Sequence, residues 1–79
     1  MWYFSVRQSE LTNDQYQALQ KKAVLTEVEI FNEPFHNLCL FEVEREQYRH
    51  FVDALDLEGL AYEVDRGRPT RQELLARMR

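Results

Sequence analysis

The chain has 79 residues, a formal net charge of −4 and one cysteine. That length fits one domain, and a lone cysteine excludes a disulfide within the chain and is typical of a reducing compartment. A hydrophobic content of 44% excludes a disordered chain, and residues 1–7 predict neither a secretion signal nor a membrane span, so we expect a cytoplasmic protein.

Charge is distributed unevenly along the chain. Residues 1–65 contain 13 acids and 5 lysines or arginines, whereas residues 66–79 contain five arginines and one glutamate. An acidic body therefore carries a basic tail. We divide the chain into a domain at residues 1–66 and a basic C-terminal helical tail at residues 67–79.

The first half of the chain predicts a strand, a helix and a second strand. Apolar and polar residues alternate over 2–7, which is typical of a half-buried strand. Thr12 and Gln15 have the spacing of a capping box, which predicts a helix over about 13–22. Alternation returns over 24–31 and predicts the second strand.

The second half of the chain predicts a third strand that forms a hairpin with the second, followed by a second helix, a fourth strand and a terminal helix. The segment around Pro34 breaks the chain before a strand at 37–43. Apolar residues at helical spacing then predict an amphipathic helix over 44–55. A strand at 60–65 follows, and a second capping box opens a short helix over 71–78.

The resulting order, β-α-β-β-α-β-α, predicts an α+β fold. Its first six elements match the split β-α-β, or ferredoxin-like, arrangement. Right-handed crossovers then give a four-stranded antiparallel sheet of order 4-1-3-2 with two helices on one face. We predict a core of Trp2, Phe4, Val6, Tyr16, Leu19, Val28, Ile30, Phe41, Val43, Phe51, Val52, Leu55, Leu60, Tyr62 and Val64.

The opposite face of this sheet is expected to be open and acidic around an apolar centre. Strand 37–43 is apolar on both faces, so a slip of one residue would exchange the set it presents. The terminal helix packs either on its own sheet or on that of another copy. The predicted partner-binding residues on this face are Tyr3, Glu27, Glu29, Leu38, Leu40, Glu42 and Glu63.

An apolar centre with a charged rim is the usual anatomy of a protein interface. An acidic rim favours a basic partner and speeds encounter with it. The leading hypothesis is therefore a small acidic, non-enzymatic protein-binding module. It would act as a regulator or inhibitor of a larger protein that is basic or binds nucleic acid.

Residues for catalysis, metal binding or cofactor binding form no recognisable pattern. His36 and Cys39 lie three residues apart on a predicted strand, so their side chains point to opposite faces, and a zinc site needs three or four ligands. With two glycines in the chain, no phosphate-binding loop is present. We predict no metal, no cofactor and no enzyme formed by this chain alone.

Two other functions remain open. A ferredoxin-like homodimer could form a small-molecule or catalytic site at its interface. The tail could bind nucleic acid weakly through Arg66, Arg68, Arg71, Arg77 and Arg79. Nucleic-acid binding by the sheet itself is disfavoured, because strand 37–43 lacks the aromatic RNA-binding pattern and the nearby acids repel phosphate.

Overall fold

Four strands and three α-helices form the fold in the computed structural model, which describes residues 1–79. The elements follow the predicted order β-α-β-β-α-β-α. They are β1 (Trp2–Arg7), α1 (Asn13–Lys22), β2 (Leu25–Glu29), β3 (Leu38–Val43), α2 (Tyr48–Leu57), β4 (Glu63–Asp65) and α3 (Arg71–Met78).

Both predicted capping boxes are present. The Thr12 hydroxyl accepts a hydrogen bond from the Gln15 backbone N–H, and the Gln15 side chain accepts one from the Thr12 backbone N–H. At α3, the Thr70 hydroxyl accepts a hydrogen bond from the Glu73 backbone N–H at 3.1 Å, and the Glu73 carboxylate accepts one from the Thr70 backbone N–H at 3.0 Å. Each box satisfies two N–H groups that have no partner within the helix. Local sequence therefore determines where α1 and α3 begin.

Helix α2 ends in a turn that requires a left-handed residue. Gly59 has φ +68°, a conformation that glycine adopts without a steric cost. The backbone N–H groups of Gly59 and Leu60 donate to the carbonyls of Asp56 and Leu55 at 3.0 Å. These bonds satisfy carbonyls at the end of the helix and direct the chain back towards the sheet.

The sheet is antiparallel throughout, with the order β2-β3-β1-β4. Read from the β4 edge, this order is 4-1-3-2. Central strand β1 pairs with both neighbours, so that Phe4 lies opposite Phe41 on one side and Val64 on the other. The chain is thus an α+β protein with an open four-stranded sheet, while the finer ferredoxin-like assignment stays a prediction.

Helices α1 and α2 cover one face of the sheet and bury an aromatic core. The ring of Phe51 lies 4.6 Å from that of Phe4 and 5.3 Å from that of Phe41. Partly buried residues, including Trp2, Tyr16 and Val64, pack around this centre. The buried cluster consists of Phe4, Val6, Leu19, Cys39, Phe41, Val43, Phe51 and Leu55.

The predicted core is wrong at Ile30, which is 67% exposed. Strand β2 ends at Glu29, before the predicted boundary at 31, so the alternation no longer governs Ile30. Val24 precedes the strand and is also exposed. β2 is an edge strand, and the apolar residues at its two ends lie outside the area that α1 and α2 cover.

Two further elements are shorter than predicted. Residues 45–47 form a 3-10 turn, and α2 begins at Tyr48 rather than at residue 44. Strand β4 contains three residues, Glu63–Asp65, because β1 pairs with it only from Tyr3 to Ser5. Leu60 and Tyr62 still pack against the core from the segment that leads into β4.

The opposite face is not open, which corrects the expectation from the sequence. Helix α3 lies on it, and its Leu74 is 1% exposed within a cluster that includes Leu38 and Leu40. The helix thus packs on its own sheet. The apolar residues of both sides of β3 are buried, because the strand lies between two helical layers.

The three α-helices contain ten, ten and eight residues. None of them has the length and apolar character needed to cross a membrane.

Candidate functional site: the sheet face under helix α3

The candidate site is the sheet face that points away from α1 and α2, which we call the second face. All seven residues predicted to bind a partner lie on it. Strand register brings them together, because residues directly opposite each other on paired strands share a face. The pairs are Tyr3 with Glu42, Ser5 with Leu40 and Glu63, Arg7 with Leu38, Glu27 with Leu40, and Glu29 with Leu38.

The centre of the second face is apolar and buried beneath α3. Leu38 and Leu40 are 7% and 3% exposed, and Phe31 joins them from the end of β2. Leu74 of α3 completes the cluster, with Leu75 packed at its edge. The two leucines predicted for partner contact are therefore inaccessible while α3 is docked.

Arginines of the tail pair with acids on the β2 side of this face. Arg68 forms an ion pair with Glu27, and the guanidinium of Arg71 lies 2.9 Å from a carboxylate oxygen of Glu29. The Arg71 guanidinium also lies 4.2 Å from the centre of the Phe31 ring, within the range of a cation–π interaction. Two arginines thus attach the start of the tail to the edge strand.

A third arginine pairs with acids on the β4 side. Both guanidinium nitrogens of Arg77 donate to the carboxylate of Asp65, at 3.0 and 2.6 Å. The same side chain lies 3.0 Å from Glu63. The hydrogen bond to Asp65 raises the pKa of Arg77 further above its already high value. The acidic rim of the second face is therefore largely neutralised by the chain's own tail.

The other predicted tail residues differ in their surroundings. Arg66 places its guanidinium 5.3 Å from the ring centre of Trp2. Arg79, at the end of the chain, has no carboxylate within 4.0 Å. Four of the five tail arginines consequently contact side chains of residues 1–65.

Tyr3 and Glu42 form a polar pair on the same face. The Tyr3 hydroxyl donates to a carboxylate oxygen of Glu42 at 2.9 Å. This hydrogen bond raises the pKa of Tyr3 above its ordinary value of 10.0, because the bond is lost when the phenol ionises. The pair fixes the side-chain positions of two predicted partner-binding residues, whose role stays a prediction.

His36 and Cys39 do not come together as a metal pair. Cys39 is 0% exposed in the core, and burial raises the pKa of its thiol to about 11. His36 is exposed in the turn before β3. No group of three His, Cys, Asp or Glu side chains is arranged to hold a metal ion.

Two residues of the site were missed as contact residues by sequence reasoning. Asp65 makes the bidentate contact with Arg77, and Phe31 supplies both apolar area and the ring under Arg71. The alternation of strands 24–31 and 60–65 places both on the second face. Alternation is thus the signal in the sequence that places both residues on this face, but it does not indicate which residues of the rim contact the tail.

No protein-family model, curated protein or solved structure matches this chain. Its function must therefore be inferred from the residues described above.

Proposed function

We propose that this chain is a small, non-enzymatic protein-binding module that regulates or inhibits a larger basic protein through the second face. The observation that carries the proposal is the position of the chain's own basic helix on that face. Glu27, Glu29 and Glu63 each pair with an arginine of residues 67–79. The surface thus already accommodates a basic helical segment.

Helix α3 serves as a template for the chemistry of the partner. Leu74 fills the apolar centre, while Arg71 and Arg77, three residues before and after it, reach the acids of β2 and β4. A partner helix with an apolar residue between two arginines at the same spacing would make the same contacts. The expected partner segment is therefore a basic amphipathic helix.

We expect the attachment of α3 to be weak enough for a partner to replace it, because the helix is held by its side chains. No hydrogen bond between backbone groups joins α3 to the sheet, and the Arg71 guanidinium donates to the Ile30 carbonyl just beyond β2. Burying one leucine side chain stabilises by about 1.5–3 kcal/mol, and each exposed ion pair adds about 0–1 kcal/mol. A longer partner helix that covers more of the second face would offset the loss of these contacts.

The test compares three forms of the full-length chain as bait in nuclease-treated lysate of the source cell. Wild type is compared with Glu27→Lys/Glu29→Lys/Glu63→Lys, which reverses the rim, and with Leu74→Asn, which weakens α3 docking. We expect a stoichiometric basic partner that Leu74→Asn binds more tightly than wild type and that the rim variant does not bind. The affinity of the purified pair should fall as salt rises.

A matched control is Glu33→Lys/Glu44→Lys/Glu46→Lys, which makes the same change in charge at exposed positions that form no ion pair. This control should keep the partner. Equal binding by the rim variant and the control, or no partner with any bait, would show that the second face is not a protein-binding surface.

Binding of nucleic acid by the tail has less support. Arg68, Arg71 and Arg77 already pair with carboxylates of the sheet. A phosphate would have to compete with those carboxylates for each guanidinium. The protein-binding hypothesis requires no such competition, because it uses the acids of the sheet and exchanges one basic helix for another.

A further inference from the structure

A pocket of about 260 Å³ lies between α3, strand β1 and the segment leading into β4. Leu38, Leu74 and Met78 form its apolar wall. An engineered cavity of about 150 Å³ is large enough to hold benzene. The pocket therefore has room for a branched or aromatic group together with a polar head.

Ser5 lines this pocket and carries a buried hydroxyl that has no partner. The residue is 6% exposed, and its Oγ has no hydrogen-bond partner in the protein. A buried hydroxyl without a partner is unfavourable and rare in folded proteins. Less than 1 Å² of the Oγ is accessible, so a polar atom of a ligand reaches the hydroxyl only when the side chains around it shift.

Two side chains of opposite charge on the pocket lining have no ion-pair partner. Arg7 has no carboxylate within 4.0 Å, and Glu10 has no cationic group within that distance. The other charged residues of the lining, Glu63 and Arg77, pair with each other at 3.0 Å. The lining groups without a partner in the protein are thus one cation, Arg7, one anion, Glu10, and the hydroxyls of Ser5 and Tyr62.

We propose that this pocket binds a free α-amino acid with an apolar side chain. Arg7 pairs with the ligand carboxylate, and the Ser5 hydroxyl donates to the same group. Glu10 pairs with the ligand ammonium, and the apolar side chain of the ligand packs against Leu38 and Leu74. A zwitterion matches the two opposite charges, which a simple anion or cation does not. The proposal does not rest on the protein-binding function, but the two events oppose each other, because Leu74, Arg77 and Met78 of α3 line the pocket and a partner that displaces α3 would open it.

The test is a titration of the full-length protein, followed by ¹H–¹⁵N NMR, with three probes of similar shape. L-Leucine carries both charges, isovalerate lacks the ammonium, and isoamylamine lacks the carboxylate. We expect leucine to bind most tightly and to shift the amide signals of Ser5, Leu38 and Leu74. Arg7→Gln and Glu10→Gln should each raise the Kd for leucine about tenfold or more.

Ser5→Ala separates ligand binding from folding. It removes a buried hydroxyl that has no partner in the protein, so the variant should unfold at a temperature no lower than wild type. Its Kd for leucine should nevertheless rise about tenfold. Arg49→Gln, at an exposed position on α2, should leave the Kd unchanged.

Three results would overturn the proposal. The first is the absence of localised shifts at leucine concentrations up to about 10 mM, a limit that corresponds to very weak binding. The second is equal affinity for leucine and isovalerate, which would mean that Glu10 contributes nothing. The third is an unchanged Kd in a folded Ser5→Ala variant.

Discussion

The two faces of the sheet are covered by helices in different ways. Beneath α1 and α2, six residues of the core are 0% exposed, and the ring of Phe51 contacts the rings of Phe4 and Phe41. Beneath α3, four buried residues form a small cluster, and exposed ion pairs hold the helix at its edges. Apolar burial alone stabilises the cover of the first face, whereas the cover of the second face depends on a smaller apolar cluster together with ion pairs at its edges.

This difference follows from the chemistry of the two layers. The hydrophobic effect scales with the apolar area that is buried and does not depend on salt through charge screening. Exposed ion pairs contribute little and are screened by salt. Local opening free energies should therefore be lowest at α3 and highest at the strands and helices of the aromatic core.

The largest expected effect is loss of the aromatic core. Phe51→Ala removes the ring that contacts Phe4 and Phe41 and should cost about 3–5 kcal/mol. A domain of this size gains only about 3–5 kcal/mol from its core, so the variant should be largely unfolded by circular dichroism at 25 °C. The control Leu57→Ala, at a residue 88% exposed, should change the free energy of unfolding by less than about 0.5 kcal/mol.

Leu74→Ala should release α3 while the rest of the domain stays folded. The loss of stabilisation is limited to the docking free energy of one helix, about 1–3 kcal/mol. Hydrogen exchange should show lost protection at residues 71–78 and unchanged protection in β1 and β3. Global loss of protection would instead mean that both faces belong to one cooperative unit.

Arg77→Gln should have a smaller effect that depends on salt. It removes the contacts with Asp65 and Glu63, which are partly exposed to solvent, so the cost should be under about 1 kcal/mol. The difference between variant and wild type, measured by urea unfolding, should shrink at about 1 M salt. A cost that is independent of salt would point to packing of the arginine stem instead.

The smallest expected effect is a pH dependence at the start of α3. Hydrogen bonds with Thr70 lower the pKa of Glu73 below its ordinary value of 4.5. The folded state therefore favours the ionised carboxylate, so this stabilisation is present above pH 4.5 and is lost as pH falls through the lower folded-state pKa. Amide chemical shifts of residues 70–74 should follow this loss.

Glu73→Gln tests that assignment, because glutamine also completes a capping box but does not titrate. The variant should retain α3 at neutral pH and should lack the acid-dependent change at residues 70–74. Persistence of the same change in the variant would assign it to a group other than Glu73.

Much of the local structure was predictable from the sequence. Helices α1 and α3 begin at capping boxes, whose hydrogen bonds join residues three positions apart. Strand β1 has the predicted boundaries, and Cys39, Phe41 and Val43 face the predicted core. The acids of the candidate site were predictable as a set, because alternation assigns Glu27, Glu29 and Glu63 to one face.

Errors arose where a local pattern meets the limit of a neighbouring layer. Ile30 continues the alternation of β2 but lies beyond the strand, where no helix covers it. The pocket lined by Ser5, Arg7 and Glu10 was not foreseen, because it combines residues of β1 and the following turn with residues of α3. Such a site depends on how distant elements approach each other.

The sequence by itself determined the elements, their order and the separation of an acidic body from a basic tail, because capping, periodicity and charge are properties of neighbouring residues. Only the tertiary structure decided that the tail lies on its own sheet, with Leu74 buried against Leu38 and Leu40 and Arg77 paired with Asp65. An apolar strand face and an amphipathic helix are complementary within one chain or between two. The choice depends on the path of the connection through Gly67 and Pro69, which brings α3 back across the second face of the sheet.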